Sequence, residues 1–306
     1  MKTIFFTGKG GVGKSTLSAT CAWQLSEHGY MTLLVSLDPA HNVADIFDAQ
    51  VGHKKSKFST NLFLQEANLD KAASAYIEQN IDILTEVYSY TKAFNFDTYF
   101  KVLRYSPGVE EYASLTILEE IYRKETDFDY IVFDTPPTGL TLRILALPNI
   151  SITWVDRLRR IRKQILEKRH TIHNITGKYK EEGFILAYSE KDDSVMQKLN
   201  EIWQRYVNLY KLLKSENNSI AVVFNPDYLS LRESQRILEG LKDLNLPLRA
   251  AFNNKYEERL KESAEEVERE LFGANANGVH IARVPLSQTT RRDTYKNDFD
   301  VTAAFR

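Results

Sequence analysis

Cysteine is nearly absent from this sequence: Cys21 is the only one in 306 residues. That excludes an intrachain disulfide and any metal site built from two thiolates of one chain, and it fits a reducing compartment. An excess of one charge is also missing. Lysine and arginine number 40 against 41 acidic residues, interspersed to a net charge of −1, so no basic field argues for nucleic acid or a membrane surface. No apolar run has the length of a membrane span or of a signal peptide. Low-complexity tracts and internal repeats are lacking too. These absences lead to the expectation of a cytoplasmic protein with small-molecule or protein partners and no integral membrane segment.

What is present is an alternation. "KTIFF" is a short β-branched and aromatic run that breaks at Gly8, and "KSTLSATCAWQLSEHG" follows with apolar residues at helical spacing and Gly29 as its stop. Further strand candidates are "MTLLVSLD" (31 to 38), "NLFLQEANL" (61 to 69), "DYIVFDT" (129 to 135), "SIAVVFN" (219 to 225), "LPLRAAFNN" (246 to 254) and "GVHIARV" (278 to 284). Several are apolar throughout, as in a sheet covered on both faces. Buried strands alternating with helices predict an α/β fold with a doubly wound, largely parallel sheet, residues 1–306 forming one domain. Two longer stretches, 70–125 and 150–215, interrupt the alternation. Both read as helices and predict a helical subdomain formed by insertions. Within the second, "WVDRLRRIRKQILEKRHTIHN" (154 to 174) is basic, yet Trp154, Leu158, Ile161, Ile165 and Leu166 recur at helical spacing, which reads as an amphipathic helix with a solvated charged face.

The opening stretch carries the chemistry. Gly8, Gly13, Lys14 and Ser15 fit G-x-x-x-x-G-K-[ST], in which the backbone N–H groups of Lys9, Gly10, Gly11, Val12 and Gly13 wrap phosphate oxygens. Lys14 neutralises the β and γ oxygens, Ser15 ligates Mg²⁺, and Thr16 reaches the α-phosphate, at the positive end of the helix that follows. Asp134 ends an apolar strand and is placed to hold Mg²⁺ directly or through water; Asp38 ends another at the same sheet edge. Aspartate after a strand also suits a turn or an N-cap, so position alone does not make Asp38 catalytic. Cys21, on the helix after the loop, reads as core packing. A lone His41 reads as a local hydrogen-bonding residue rather than a ligand or base.

One lysine suffices for the cradle, and here Lys9 is a second. "GKGGVGKST" resembles the deviant phosphate loop of a class of ATPases that includes the ParA and MinD partitioning proteins, the nitrogenase iron protein and the ArsA-type ATPases. "SLDPAHNVADIF" (36 to 47) and "FDTPPTGLTLRILALP" (133 to 148) resemble the two switch segments of the ArsA family. "SPGVEEYASL", "NPDYLSLRESQR" and "FNNK" extend the resemblance along nearly the whole chain in that family's order. An iron–sulfur cluster shared by two chains needs two cysteines from each, which removes the iron-protein alternative.

The resemblance implies Mg²⁺-dependent ATP hydrolysis in a homodimer closed across the nucleotide site. Asp38 would position or activate the attacking water with Asn42 nearby, and Lys9 would reach the partner's phosphates. Asn254 would recognise the adenine edge, and Pro285 is what remains of the family's C-terminal nucleotide segment. Leu140 stands where the family usually has histidine and Pro136 where it has alanine. The paired cysteines of a zinc site and the three cysteines that arsenite pumps use for the metalloid are both lacking, so zinc is not expected. Three functions stay open: a nucleotide-driven switch whose helical lobe carries an unidentified client, the motor ATPase of an arsenite pump, and a non-hydrolysing scaffold. Tyr88, Tyr90, Phe94, Phe96, Tyr99 and Phe100 suit either a client groove or core.

Overall fold

Alternate residues of the first strand feed two different cores. Ile4 and Phe6 pack on one face with Leu17, Cys21 and Leu25, while Phe5 packs on the other, stacked on Phe133 with ring centroids 4.5 Å apart. Period-two alternation with both faces apolar is what a covered central strand requires, and full burial of each such ring contributes about 2–3 kcal/mol.

A computed structural model describes residues 1–40, 42–87, 108–176, 180, 181, 184, 185, 187–273, 278–286 and 294–306. His41 and the aromatic residues from Tyr88 to Phe100 lie outside the described residues. The elements run β1 (Lys2–Gly8), α1 (Lys14–Glu27), β2 (Thr32–Ser36), α2 (Asn42–Phe47), β3 (Ser56–Lys57), β4 (Leu62–Glu66), α3 (Leu69–Val87) and α4 (Val109–Lys124). They continue with β5 (Tyr130–Asp134), α5 (Thr138–Thr176), β6 (Lys180–Glu181), β7 (Phe184–Ile185) and α6 (Ser194–Leu213). The rest are β8 (Asn218–Phe224), α7 (Tyr228–Asp243), β9 (Leu248–Tyr256), α8 (Lys261–Phe272) and β10 (His280–Pro285).

Eight strands form one sheet in the order β10-β9-β8-β1-β5-β2-β4-β3. Every pairing is parallel except β3 with β4, a short antiparallel edge that sequence patterning missed because two residues carry no period. The doubly wound reading therefore holds. One face is covered by α1 and by the C-terminal segment, where Tyr295, Val301 and Phe305 are buried around the same core as Cys21. Gln24 ties that segment down by donating to the carbonyls of Asn297 and Phe299. Burial pushes the Cys21 thiol well above its ordinary pKa, with Asp300 adding to the shift, as expected for a packing cysteine.

The stretches expected to be helical hold two surprises. A β-hairpin, β6 with β7, lies inside the second. The helix of that stretch also starts earlier than its insertion boundary: α5 is 39 residues long and runs through Pro148, whose ring removes one backbone bond that the flanking packing outweighs. A further correction concerns which face of α5 is buried. Trp154, Leu158, Ile161 and Ile165 face solvent, Trp154 with 65% of its surface exposed, and only Leu166 of the expected stripe is buried. The face turned to α6 carries Val155, Arg159, Arg162 and Leu166. Arg162 donates Nε and Nη2 to Asp193 at 3.0 and 2.6 Å, and Arg159 stacks its guanidinium over the Trp203 ring at 4.7 Å. Paired cations thus take positions that patterning assigns to solvent. No described helix is long and apolar enough to cross a membrane.

Candidate functional site

The site forms where β1 ends and α1 begins, at the centre of the carboxyl edge of the sheet. Gly8 must be glycine because a Cβ there would sit 2.2 Å from the Val223 carbonyl oxygen of the adjoining β8. Gly13 caps α1 at φ 98°, and a Cβ on it would meet Asn254 Nδ2 at 2.3 Å. The loop between them is therefore held against two strands, with its amides left to face a ligand.

A cavity of about 770 Å³ opens over this loop. Gly10, Gly11, Gly13, Lys14, Ser15 and Thr16 form its floor, and Asp38, Ala40, Asn42 and Pro137 rise on the switch side. Lys14 is buried and donates Nζ to the Lys9 carbonyl at 3.2 Å. Burial lowers its pKa, and the negative charges of Asp134 and Asp38 oppose that. Asp38 turns its own chain, Oδ1 accepting the Ala40 N–H at 3.0 Å.

Asp134 is fully buried, and neither of its carboxylate oxygens has a hydrogen-bond partner among the described residues. Burial pushes its pKa up to about 7; the nearby Ser15 hydroxyl, which stops short of hydrogen-bond geometry, and the Lys14 ammonium hold it down, and Asp38 adds to the rise. An unpaired buried carboxylate is costly, so such a group calls for a cation. A hard oxygen donor beside a hydroxyl and a phosphate cradle fits Mg²⁺. The segment beyond it is laced in place: Thr135 donates Oγ1 to the Phe6 carbonyl at 2.7 Å, and Thr141 donates to Thr135 Oγ1 at 2.9 Å.

Not every expected residue enters the cavity. Lys9 is half-buried and does not line it, and Gly8 and Val12 act from beneath. Pro285 is exposed on β10 opposite Tyr256 and does not reach it either. Asn254 is buried and donates Nδ2 to the Val12 carbonyl at 2.7 Å, so its amide holds the loop. Sequence reasoning missed Lys255, which lines the cavity and donates Nζ to the Gly11 carbonyl at 2.8 Å, and also Asp45, Ile46 and Thr294. A lysine at the end of a strand carries no spacing signal; only the "NNK" string marked the place.

Comparison with known proteins places the chain in a family. The family model described as anion-transporting ATPase, ArsA type, matches residues 1–272. A protein of Aquifex aeolicus named arsenical pump-driving ATPase 2 is 27% identical over 83% of this chain and 80% of its own length. One of Chlorobaculum tepidum named arsenical pump-driving ATPase is 29% identical over 79% of this chain, which spans only 58% of that protein. A Paramecium tetraurelia protein named ATPase ASNA1 homolog 1 is 27% identical over 81% of this chain and 73% of its own length. A glycine-rich loop built between β1 and α1, with the family match running from β1 through α8, makes this chain a member of the ArsA-type anion-transporting ATPase family.

Proposed function

We propose that the protein hydrolyses ATP with Mg²⁺ in a homodimer and uses the nucleotide state to govern a client carried by a helical lobe. The observation that carries the reading is Asp134, a buried carboxylate with both oxygens unpartnered among the described residues, set among Lys14, Ser15 and Asp38. Ser15 and Asp134 hold Mg²⁺, the latter directly or through water, and the ion supplies charge neutralisation for the phosphates. Lys14 moves from the Lys9 carbonyl to the β and γ oxygens. Thr16 takes the α-phosphate, and the amides of Gly10, Gly11, Val12 and Gly13 wrap the chain of phosphates. Asp38 orients the attacking water and accepts its proton, with Asn42 beside it. Lys9, outside its own cavity, serves the partner's phosphates. Asn254 braces the loop from behind, on the side that takes the nucleoside, and Pro285 lies farther out on the same side.

The lobe comprises the insertions at about 70–125 and 150–215. α5 begins four residues after Asp134 and extends for roughly 60 Å at helical rise, so a shift at the metal ligand is delivered along one rigid element. Its exposed apolar row, from Trp154 to Ile175, is the surface offered to a client. A pump reading suits the names of two relatives, but a single buried thiol offers no soft ligand set for a metalloid. A cytoplasmic location suits a switch of this kind.

Phosphate release from ATP is the test. Turnover should require Mg²⁺ and fall at least ~100-fold in Asp134→Asn, as expected for loss of charge stabilisation in the transition state. Turnover that ignores both Mg²⁺ and this substitution overturns the reading.

A further inference from the structure

Three residues of the cavity wall come from one short element. Asn42, Asp45 and Ile46 all lie on α2, a helix of six residues. A helix so short does not hold itself in water, so its packing decides where those side chains stand. Its first turn is fixed by Glu66, at the end of β4, whose Oε1 accepts the Ala44 N–H at 2.9 Å. Its last residue, Phe47, lies stacked on Tyr295 with ring centroids 4.3 Å apart and the rings 26° from parallel.

Tyr295 is a firm seat for that helix. It is buried, and Trp23 of α1 and Phe58 meet its ring edge-on with centroids at 5.9 and 6.0 Å. The segment that brings it is fastened without help from α2: Gln24 Oε1 accepts the Val301 N–H at 2.9 Å, and Phe305 packs against Phe6 and Phe252. Thr294, the residue before Tyr295, lines the cavity, and so does Ile46, the residue before Phe47. One aromatic contact thus joins two separate stretches of cavity wall, and the second of them lies beyond residues 1–272, the span of the family match.

We propose that Tyr295 is a positioning residue for hydrolysis: stacked on Phe47 it sets where α2 stands, and through α2 where Asn42 stands beside the water that Asp38 orients. This rests on the hydrolysis reading above and adds the residue that fixes the switch side of the site. ADP is held by the loop and needs no such seat. The attacking water does, since a displacement of about 1 Å can cost roughly 100-fold in rate.

The experiment measures kcat for Mg²⁺-dependent ATP turnover and, by calorimetry, ADP affinity in the full chain and its variants. Tyr295→Leu should lower kcat about 10- to 100-fold and leave ADP affinity within about threefold, while Tyr295→Phe, which keeps the ring, should keep kcat within about twofold. Phe47→Leu should repeat the kcat loss from the helix side, and the double variant should be no slower than the slower single one, as two residues acting through one contact require. Phe47→Leu also reads that contact if Tyr295→Leu fails to fold. Phe305→Leu removes a buried ring of the same segment that does not touch α2, so it should lower the melting temperature and leave kcat within about twofold. An unchanged kcat in folded Tyr295→Leu or Phe47→Leu, an equal loss of ADP affinity, additive losses in the double variant, or the same kcat loss in Phe305→Leu overturns the proposal while wild-type turnover keeps the hydrolysis reading in place. Absence of ATP turnover in the wild-type chain overturns both.

Discussion

Asn254 donates Nδ2 to the Val12 carbonyl at 2.7 Å across 242 positions of sequence, so the end of β9 supports the glycine-rich loop from below. Asn254→Ala leaves that carbonyl without its partner and should cost about 1–3 kcal/mol. A thermal melt reads this as a drop of roughly 2–10 °C at the scale of a chain this size. Nucleotide affinity should weaken in the same variant, because the loop loses its rest position. An unchanged melting temperature would show that the loop holds itself.

Asp38 lines the cavity while its Oδ1 accepts the Ala40 N–H of its own turn. Asp38→Asn preserves that turn as an acceptor but removes the negative charge. Steady-state ATP turnover should fall at least ~100-fold with ATP affinity retained. Rates at the wild-type level would remove Asp38 from the chemistry.

Lys9 is close to the cavity and yet outside it, which makes a mixing experiment decisive for a role in trans. Lys9→Ala and Asp38→Asn should each be nearly inactive alone. In a mixed dimer one site has Asp38 on its own chain and Lys9 from the partner. Random exchange makes about half the dimers mixed, each with one good site of two, so about a quarter of wild-type activity should return. No recovery under conditions shown to exchange subunits sinks the trans role.

Cys21 is fully buried and its thiol is pushed up by burial, so it stays protonated and closed to soft ions. Arsenite at micromolar concentration should leave ATP turnover unchanged. Stimulation that disappears in Cys21→Ser would revive the pump motor.

The pairing of α5 with α6 gives a pH dependence of known sign. Burial alone would raise the Asp193 pKa, but the hydrogen bonds from Arg162 and the Met196 N–H, with the charges of Arg162 and Arg169, hold it below the ordinary carboxylate value. A depressed folded-state pKa means stability that is present above the unfolded value of about 4 and lost as pH falls through the folded one. Arg162→Met leaves a buried carboxylate unpaired and should cost about 3 kcal/mol at pH 7 in urea unfolding, a difference that shrinks below pH 4. A cost that does not change between pH 7 and pH 3 would assign the loss to packing instead.

Sequence by itself determined the central strands, because a run such as "DYIVFDT" is apolar at every position and only a covered parallel strand buries both faces. It also determined the shape of the glycine-rich loop between β1 and α1, since Gly8 and Gly13 act through local backbone geometry that their spacing encodes. Contacts between distant segments were decided only by tertiary structure. Lys255 becomes a cavity residue because β9 lies two strands from β1, and nothing in its neighbours' period announces that. The exposed face of α5 was likewise hidden: helical spacing shows that Trp154, Leu158, Ile161 and Ile165 share one side, but Arg162 found a buried partner in Asp193 and drew the opposite side inward. Periodicity fixes which residues lie together, and pairing across the fold decides which way they turn.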